Sequence, residues 1–396
     1  MEVASKSICY VTRMDRVELV ALMNRYFATV ARNLESIAAE EIERLGARQV
    51  RPDFTGVHFV GDKATLYRVN LWARTIFRVL VPIREFYCPN ADILYREVQK
   101  ISWDKYLQSH NTLAVNCTGS NQKLNHTHFS ALQVKNAIVD QQRRKSGQRS
   151  RIDVKNPDVL VNVHIQQDRC ILSLDSSGTS LHRRGYRQAM GDAPLKETLA
   201  AALLDIAQWD YCLPFLDPLC GSGTLPLEAG LKALNIAPGL FRQKFGFESF
   251  PDFDQQLWHL LLTQAKNSQI NELKAPIWGS DRDANVLTQA RSNSVRCGIE
   301  NYIRFTQTEL ACLEAPSDSG MIICNPPYGE RLGAAQELGA LYKSLGDIFK
   351  QRFKGWTAFI LTGNKELAKQ VGLRASRRIP VYNGAIACTL IKYELY

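Results

Sequence analysis

The chain has 396 residues, 45% of them hydrophobic, and its 49 Lys and Arg against 39 Asp and Glu give a formal net charge of +10 at pH 7. This length accommodates two or three domains, and the excess of positive charge favours a polyanionic partner. No apolar run approaches the ~18–20 residues of a membrane span and no signal-peptide pattern opens the sequence, which argues against a membrane or secreted protein.

The N-terminal half is predicted to contain short, alternating elements. Residues 1–22 do not share its pattern, and we expect them to be a tail or a mis-assigned start, because Met23 could begin the chain. Asn33 is predicted to cap a helix that runs to Leu45. Further strands are predicted at 26–30, 57–60, 74–86, 112–117, 159–165 and 170–174, and helices at 63–72 and 127–144. Elements of this size favour small α+β layers over a Rossmann half.

Basic residues concentrate at the end of this half. Between Asp140 and Met190 there are ten Lys or Arg against five Asp. If the chain had no catalytic domain that acts on bases, a helix end whose basic side chains are merely solvated would explain this concentration of Lys and Arg equally well. With such a domain, phosphate binding becomes the better interpretation. The candidate RNA-binding residues are Lys135, Arg143, Arg144, Lys145, Arg183, Arg184 and Arg187.

Cysteine and histidine patterns indicate no metal site. The ten cysteines contain no Cys-x-x-Cys pair, and several lie in apolar strands or turns. We therefore predict reduced thiols of a cytoplasmic protein without a disulfide framework. His126-x-His128 has no matching Cys or His pair, and we interpret it as part of a polar loop.

The C-terminal half begins with a strand, a glycine turn and a helix. The apolar run Leu213–Leu216 ends in Asp217, Gly221-Ser222-Gly223 follows, and residues 225–234 have helical spacing. Glycine permits positive φ and leaves room for a ligand near the backbone, at the strand end where ligands bind in open α/β sheets. Position 226 is Pro and no Gly-x4-Gly-Lys loop is present, so neither a dinucleotide fingerprint nor a P-loop is predicted.

Three further strands are predicted to deliver polar side chains to the same edge. Runs at 275–278, 303–305 and 321–324 lead to Asp281, Glu309 and Asn325. A carboxylate at the second strand end can accept both hydroxyls of a ribose, whereas Glu309 alone would be read as a solvated cap. A fifth strand at 355–362 and a hairpin of 378–382 with 385–393 around Asn383-Gly384 complete a parallel sheet with an antiparallel edge.

The tetrapeptide Asn325-Pro326-Pro327-Tyr328 has the chemistry to present an exocyclic base amine. The amine is a poor nucleophile because its lone pair is delocalised into the ring. The Asn325 side-chain oxygen and the Pro326 carbonyl can accept its two hydrogens, while the prolines remove N–H donors. Tyr328 offers a ring for an extruded base. Most of the rate would then come from alignment rather than from a general base.

Residues 217–328 resemble the class I methyltransferases that use S-adenosylmethionine, in the branch with Asn/Asp-Pro-Pro-Tyr that acts on exocyclic amines of bases. The resemblance implies that Asp217, Gly221 and Gly223 surround the methionine part of the cofactor, that Asp281 holds the ribose and that Glu309 lies near the adenine amine. The complete set of predicted cofactor-binding residues is Asp217, Cys220, Gly221, Ser222, Gly223, Thr224, Asp281, Glu309 and Asn325.

The N-terminal half also resembles a family. Asn70-Leu-Trp-Ala-Arg, Lys135-Asn-Ala-Ile-Val-Asp, Asp175-Ser-Ser-Gly, Leu181-His-Arg-Arg-Gly-Tyr-Arg and the run that starts Ala193-Pro-Leu-Lys are similar to THUMP-containing RNA methyltransferases. The most similar branch methylates guanine N2 in 23S rRNA, here in a short form with one catalytic domain. The resemblance implies an α/β protein with a ferredoxin-like subdomain (23–90), a THUMP domain (91–180) and a class I, Rossmann-like methyltransferase domain with a terminal hairpin (181–396).

The predicted function is therefore transfer of a methyl group from S-adenosylmethionine to guanine N2 of RNA, with 23S rRNA as the expected substrate. The same reaction on tRNA and N6 methylation of adenine in RNA or DNA remain alternatives, because the tetrapeptide serves both amines. A non-catalytic RNA-binding or ribosome assembly factor is the alternative from another class. Such a protein would be expected to lose the tetrapeptide or the glycine loop, and both are intact.

Overall fold

Two sheets organise the chain, as seen in a computed structural model that describes residues 23–187, 195–328 and 335–396. One sheet of eight strands occupies the N-terminal half, and one of seven strands occupies the C-terminal half. The predicted tail 1–22 and residues 193–194 of the predicted motifs lie outside the described residues. Within the described ranges, no helix is both long and apolar enough to cross a membrane.

The first sheet is mixed and joins the ferredoxin-like and THUMP regions. Its strand order is β2-β3-β1-β4-β8-β7-β5-β6. Its strands are β1 (Asn24–Val30), β2 (Arg48–Asp53), β3 (Gly56–Gly61), β4 (Ile76–Tyr87), β5 (Thr112–Ser120), β6 (Arg151–Ile152), β7 (Val159–Gln166) and β8 (Arg169–Asp175). Its helices are α1 (Glu35–Arg44), α2 (Lys63–Trp72), α3 (Ala91–Gln99) and α4 (Thr127–Ser146). Strand β4 pairs with β1 on one side and with β8 on the other, so the two regions share one continuous sheet.

The predicted cap of the first helix is wrong. Helix α1 begins at Glu35, and no side chain caps it. Asn33 instead has a φ of +68°, a left-handed conformation that Asn adopts more readily than most residues. Its side-chain Nδ2 donates to the carbonyl of Pro380 at 3.4 Å. The loop before α1 is therefore shaped by a contact with the C-terminal half.

The second sheet has the predicted class I topology. Its order is β11-β10-β9-β12-β13-β15-β14, with β9–β13 parallel and β15 antiparallel to both β13 and β14. Its strands are β9 (Phe215–Asp217), β10 (Ile277–Asp281), β11 (Ile303–Gln307), β12 (Gly320–Cys324), β13 (Trp356–Thr362), β14 (Arg377–Asn383) and β15 (Ile386–Glu394). The helices are α5 (Glu197–Ile206), α6 (Thr224–Ala233), α7 (Gln255–Asn267), α8 (Ala284–Cys297), α9 (Ala335–Arg352) and α10 (Lys365–Gln370).

The turn of the terminal hairpin lies at the carboxyl edge of this sheet. Strand β15 runs antiparallel to β13, and β14 runs antiparallel to β15. Strand β14 therefore points the same way as the parallel strands, so that its last residue, Asn383, reaches the edge where ligands bind in such folds.

Buried arginines connect the N-terminal half to the catalytic half. Arg184 forms an ion pair with Glu228 of α6, with side-chain exposures of 1% and 0%. It also donates to the carbonyl of Arg74, whose own guanidinium donates to the carbonyls of Leu231 and Ile236. Arg242 donates to carbonyls of the segment 177–183. These contacts tie the connecting segment to the catalytic domain.

Two of the predicted RNA-binding residues are corrected by this arrangement. Arg184 is buried and has a buried carboxylate partner, so it cannot reach a phosphate from its observed position. Arg187 is largely buried, pairs with Glu197 and donates to the hydroxyl of Thr224. Its guanidinium therefore links the first residues of α5 and α6 instead of facing the solvent. A run of arginines in sequence does not reveal which of them have carboxylate partners from distant elements.

Candidate active site

A cleft of about 220 Å³ lies at the carboxyl edge of the second sheet. Six of the predicted site residues line it, although Asn325 is separated from the others by about a hundred positions. The lining residues are Leu195, Asp217, Leu219, Cys220, Gly221, Ser222, Thr224, Leu225, Val286, Gln289 and Asn325. Sequence reasoning missed Leu195, Leu219, Leu225, Val286 and Gln289. The i, i+3 spacing of Val286 and Gln289 in the first turns of α8, just after Asp281, was the available signal.

The two glycines of the loop have different physical roles. Both have positive φ, +53° at Gly221 and +84° at Gly223. A Cβ on Gly221 would meet no atom within 4 Å, so this glycine borders open space in the cleft. A Cβ on Gly223 would lie 3.0 Å from Ala290 Cβ and 3.1 Å from the Phe305 ring. Gly223 thus permits close packing of α6 on α8 and β11, whereas Gly221 leaves room for a ligand.

Asp217 places a buried carboxyl in the lining of the cleft. Its Oδ1 accepts a hydrogen bond from the backbone N–H of Leu219 at 3.1 Å. Burial, with a smaller contribution from the Asp281 carboxylate, raises the pKa of Asp217 well above its usual value. A site with two neighbouring carboxylates disfavours their joint ionisation and so suits a positively charged ligand.

Asp281 contacts the glycine loop, whereas Glu309 lies at the surface. Asp281 Oδ2 accepts from the N–H of Gly221, and Oδ1 accepts from the N–H of Asp283, both at 3.0 Å. Asp281 thus holds the glycine loop against the end of β10, and each oxygen retains a lone pair for a further donor. Glu309 is exposed and, like Asp281 and Gly223, does not line the cleft. The structure therefore brings Asp281 to the loop but leaves Glu309 at the surface.

The tetrapeptide follows the fully buried strand β12. Asn325 Oδ1 is buried and has no hydrogen-bond donor among the described residues. A buried acceptor without a donor costs ~1–3 kcal/mol, so its position in the cleft lining indicates a donor supplied by a ligand. Pro326 is buried, whereas Pro327 is exposed.

Tyr328 is held by the terminal hairpin. Its hydroxyl accepts a hydrogen bond from Asn383 Nδ2 at 2.8 Å, and the thiol of Cys388 donates to it at 3.6 Å. Burial raises the pKa of Tyr328 to about 12, so the phenol is neutral at physiological pH. A Cβ on Gly363 would lie 3.0 Å from the ring. The ring is thus fixed by residues that follow it by 35 to 60 positions.

Three family models match successive parts of the chain. The RlmL ferredoxin-like domain matches residues 25–80, the THUMP domain matches residues 88–175, and the RMKL-like methyltransferase domain matches residues 184–392. The third match alone covers more than half of the chain.

Individual relatives agree with these matches. A protein of Synechocystis sp. that is provisionally named an RNA methyltransferase is 57% identical over 382 residues, which cover 96% of this chain and 100% of that protein. The ribosomal RNA large subunit methyltransferase K/L of Syntrophotalea carbinolica is 42% identical, over 94% of this chain but 53% of that enzyme. The chain thus spans about half the length of the K/L relatives that it matches.

A solved structure has the same fold over nearly the whole length. SMU.472, a protein provisionally named a methyltransferase and crystallised in complex with SAH, superposes with a TM-score of 0.84 at 28% identity. The superposition covers 94% of this chain and 98% of that one. On these matches, the chain belongs to the RMKL-like methyltransferase family and also carries an RlmL-type ferredoxin-like domain and a THUMP domain.

Proposed function

We propose that this chain transfers a methyl group from S-adenosylmethionine to the exocyclic N2 of a guanine in RNA, with large-subunit ribosomal RNA as the substrate. The observation that carries the proposal is the buried Oδ1 of Asn325, which lies in the lining of the glycine-loop cleft and finds no donor in the part of the chain that the structure describes. The name of the K/L relative supports an RNA of the large subunit, and the SAH complex of the structural relative supports the cofactor.

The cleft suits S-adenosylmethionine, which supplies a methyl group on a positively charged sulfonium when it is bound. The open space beside Gly221 leaves room at the backbone. Burial raises the pKa of Asp217, and a cation beside this carboxyl would favour its ionised form, which is then a counter-charge. The unused lone pairs of Asp281 can accept the hydroxyls of a ribose. Because Glu309 is exposed and outside the cleft lining, we assign it no contact with the cofactor.

The residues of the tetrapeptide would position the amine. Asn325 Oδ1 and the Pro326 carbonyl would each accept one hydrogen of the amine, which aims the nitrogen lone pair at the methyl group. The Tyr328 ring, fixed through its hydroxyl by Asn383, would stack on the extruded base. Because the two acceptors aim the lone pair at the methyl group, the acceleration is assigned to alignment.

The variant Asp217→Asn is expected to bind S-adenosylmethionine about 10- to 100-fold more weakly, because the ligand loses a charged partner. Burial raises the folded-state pKa of Asp217 above its unfolded value. The stability that this group contributes is therefore present below the unfolded pKa, near 4, and is lost as pH rises toward the folded pKa. The ligand-free variant should lose this pH dependence and be at least as stable as the wild type at pH 7.

Thermal unfolding with and without the cofactor, between pH 4 and pH 8, measures both effects. Asp318→Asn, at an exposed carboxylate outside the cleft lining, is the matched control and should change neither. If Asp217→Asn binds the cofactor as tightly as the wild type does, this carboxyl does not contribute to cofactor binding.

RNA capture is proposed to involve the basic end of α4. Arg143, Arg144 and Lys145 are exposed there, and their nearest carboxylates are those of Asp140 at 3.9 Å and Asp104 at 2.8 Å. Such exposed pairs contribute little, so phosphates can compete for these cations. Arg183 is also exposed, and Lys135 is half-buried on the same helix as the cluster. We propose that residues 23–180 bind RNA and that residues 181–396 carry the reaction.

Reversal of all three charges, in Arg143→Glu, Arg144→Glu and Lys145→Glu, is expected to weaken RNA binding and flatten its salt dependence. Each lost phosphate contact lowers the slope of log K against log salt by ~0.7 for single-stranded RNA, or about 2 for three contacts. Fluorescence anisotropy at several salt concentrations gives the slope. The control reverses Lys266, Lys274 and Arg304, which are equally exposed residues of the catalytic domain. An unchanged slope in the charge-reversal variant would mean that Arg143, Arg144 and Lys145 do not contact RNA phosphates.

The proposed function is tested by methyl transfer from labelled S-adenosylmethionine to RNA fractions from a strain that lacks the gene, followed by nucleoside digestion and mass analysis. N2-methylguanosine in large-subunit rRNA is the expected product. The same nucleoside in tRNA would identify tRNA as the substrate, and N6-methyladenosine would identify adenine as the target base. Cofactor binding without transfer to any fraction would favour the non-catalytic alternative.

A further inference from the structure

An aromatic and cationic surface, made of the exposed Arg32 and Phe54 and the half-buried Tyr382, lies beside the turn of the terminal hairpin. The guanidinium carbon of Arg32 is 5.0 Å from the ring centroid of Tyr382 and 5.8 Å from that of Phe54. Arg32 and Phe54 belong to the ferredoxin-like region, whereas Tyr382 belongs to the catalytic domain. We call these three residues the stacking platform.

The end of β14 connects the platform to the tyrosine of the tetrapeptide. Tyr382 immediately precedes Asn383, whose side chain donates to the Tyr328 hydroxyl at 2.8 Å. Because successive side chains of a strand point to opposite faces, the end of β14 holds the predicted base-stacking ring through Asn383 on one face and carries the platform through Tyr382 on the other. Nucleotides that leave the catalytic cleft across the hairpin turn would meet the platform.

The platform is presented by a rigid loop. Phe54 is 72% exposed at the turn between β2 and β3, so its ring contributes little to the core. Its backbone is nevertheless fixed: its own N–H donates to Asp53 Oδ1 at 2.7 Å, and Thr55 N–H donates to Glu35 Oε1 at 3.1 Å. Arg32 lies in a second loop, between β1 and α1, and there the Asn33 side chain donates to the carbonyl of Pro380, which secures that loop to β14. A large ring held rigidly in solvent is suited to binding rather than to folding.

The charge of the platform favours an RNA occupant over an apolar protein segment. Arg32 is exposed and pairs with no carboxylate among the described residues, so its charge is available to a phosphate. Aromatic rings and a guanidinium plane are the groups on which unpaired bases stack. A methyltransferase that extrudes one base leaves unpaired neighbours beside it.

We propose that the stacking platform of Arg32, Phe54 and Tyr382 binds unpaired RNA nucleotides that flank the target base. This inference rests on the proposed function, since it presumes an RNA substrate. It assigns the ferredoxin-like region a direct contact with the substrate, next to the catalytic cleft. The contact requires both domains, because Tyr382 and Arg32 come from opposite ends of the chain.

The test uses the full chain and the variants Phe54→Ala and Arg32→Ala. Loss of a group on which a base stacks weakens single-strand binding by about tenfold or more, so we expect affinity for a fluorescent oligouridylate to fall about tenfold in each variant. The KM for the RNA that the wild type methylates should rise similarly, while kcat at saturating RNA and cofactor affinity stay unchanged. Affinity for fully duplex RNA should be unaffected by Phe54→Ala, because its bases are stacked inside the helix.

Two controls make the result decisive. Tyr396→Ala removes a ring that is 91% exposed, just beyond β15 and so at the opposite edge of the sheet, and should change nothing. Phe54→Tyr keeps a stacking ring and should retain wild-type affinity. If Phe54→Ala binds oligouridylate and methylates RNA as the wild type does, the platform is refuted while the proposed function stands. If the wild type methylates no RNA, the proposed function fails first and independently of these variants.

A different outcome would identify a purely structural role. Arg32 could serve only to hold the two domains together. In that case Arg32→Ala would lower the unfolding temperature and weaken RNA binding, whereas Phe54→Ala would do neither. That combination overturns the platform as a binding surface.

Discussion

Replacement of Asn325 by Ala is expected to lower kcat for methyl transfer by at least about 100-fold, the scale on which loss of a positioned polar group or a misplaced substrate slows a reaction. The side-chain oxygen of Asn325 is buried, lines the cleft and has no donor among the described residues. The alanine variant cannot accept a hydrogen of the amine, so the nitrogen lone pair is no longer aimed at the methyl group. Single-turnover assays at saturating RNA and cofactor measure this step directly.

The same variant should bind cofactor and RNA nearly as tightly as the wild type, because Asn325 contributes one side chain among many to each site. Asn325→Asp preserves an acceptor at the same position and is expected to retain more activity than the alanine variant. If Asn325→Ala turns over at the wild-type rate, Asn325 has no role in the mechanism. The proposed function would then lose its main supporting observation.

Replacement of Glu228 by Ala should destabilise the folded protein by about 3–5 kcal/mol, the usual consequence of removing one partner of a buried ion pair. Arg184 would be left buried without its carboxylate, and the Tyr186 hydroxyl would lose its acceptor, Glu228 Oε1 at 3.1 Å. Arg74 belongs to the same buried network, since the Arg184 guanidinium donates to its backbone carbonyl. Chemical denaturation followed by fluorescence should show an earlier transition.

The matched control is Glu366→Ala, which breaks the Lys369–Glu366 pair, whose side chains are 70% and 77% exposed. Exposed pairs contribute ~0–1 kcal/mol, so the transition of this variant should nearly coincide with that of the wild type. Equal shifts in the two variants would mean that the buried Arg184–Glu228 pair contributes no more to the free energy of unfolding than an exposed pair does. Glu228 does not line the cleft, so residual folded Glu228→Ala should still bind cofactor.

Local patterns were sufficient to predict the elements that depend on neighbouring residues. The helix at 63–72 has the predicted bounds, and the hairpin around Asn383-Gly384 forms where the turn residues indicate. In both cases the signal is a short-range one, from apolar periodicity or from turn geometry. Helix α3 and helix α7 were not predicted, although Asn90 and Asp254 cap them.

Long-range packing decided what the patterns could not. The basic run around Arg184 was interpreted as a surface, yet Arg184 is buried because Glu228 on α6 lies opposite it. The two glycines of the loop look equivalent in sequence, but Gly223 packs against Ala290 and Phe305 while Gly221 borders the cleft. Neither distinction has a local signature, since each depends on which distant side chain lies opposite.

The sequence by itself determined most strands of both sheets, the class I sheet with its terminal hairpin, and the placement of the glycine loop and the tetrapeptide at the ends of parallel strands. These follow from periodicity, turn chemistry and the rule that parallel strands bring their carboxyl ends to one edge. Only the tertiary structure decided that β4 and β8 join the N-terminal regions into one sheet, that Asn383 fixes Tyr328, and that Arg32 lies over Tyr382. Contacts between residues far apart in the chain depend on burial and on complementary partners, and these exist only once the whole chain has packed.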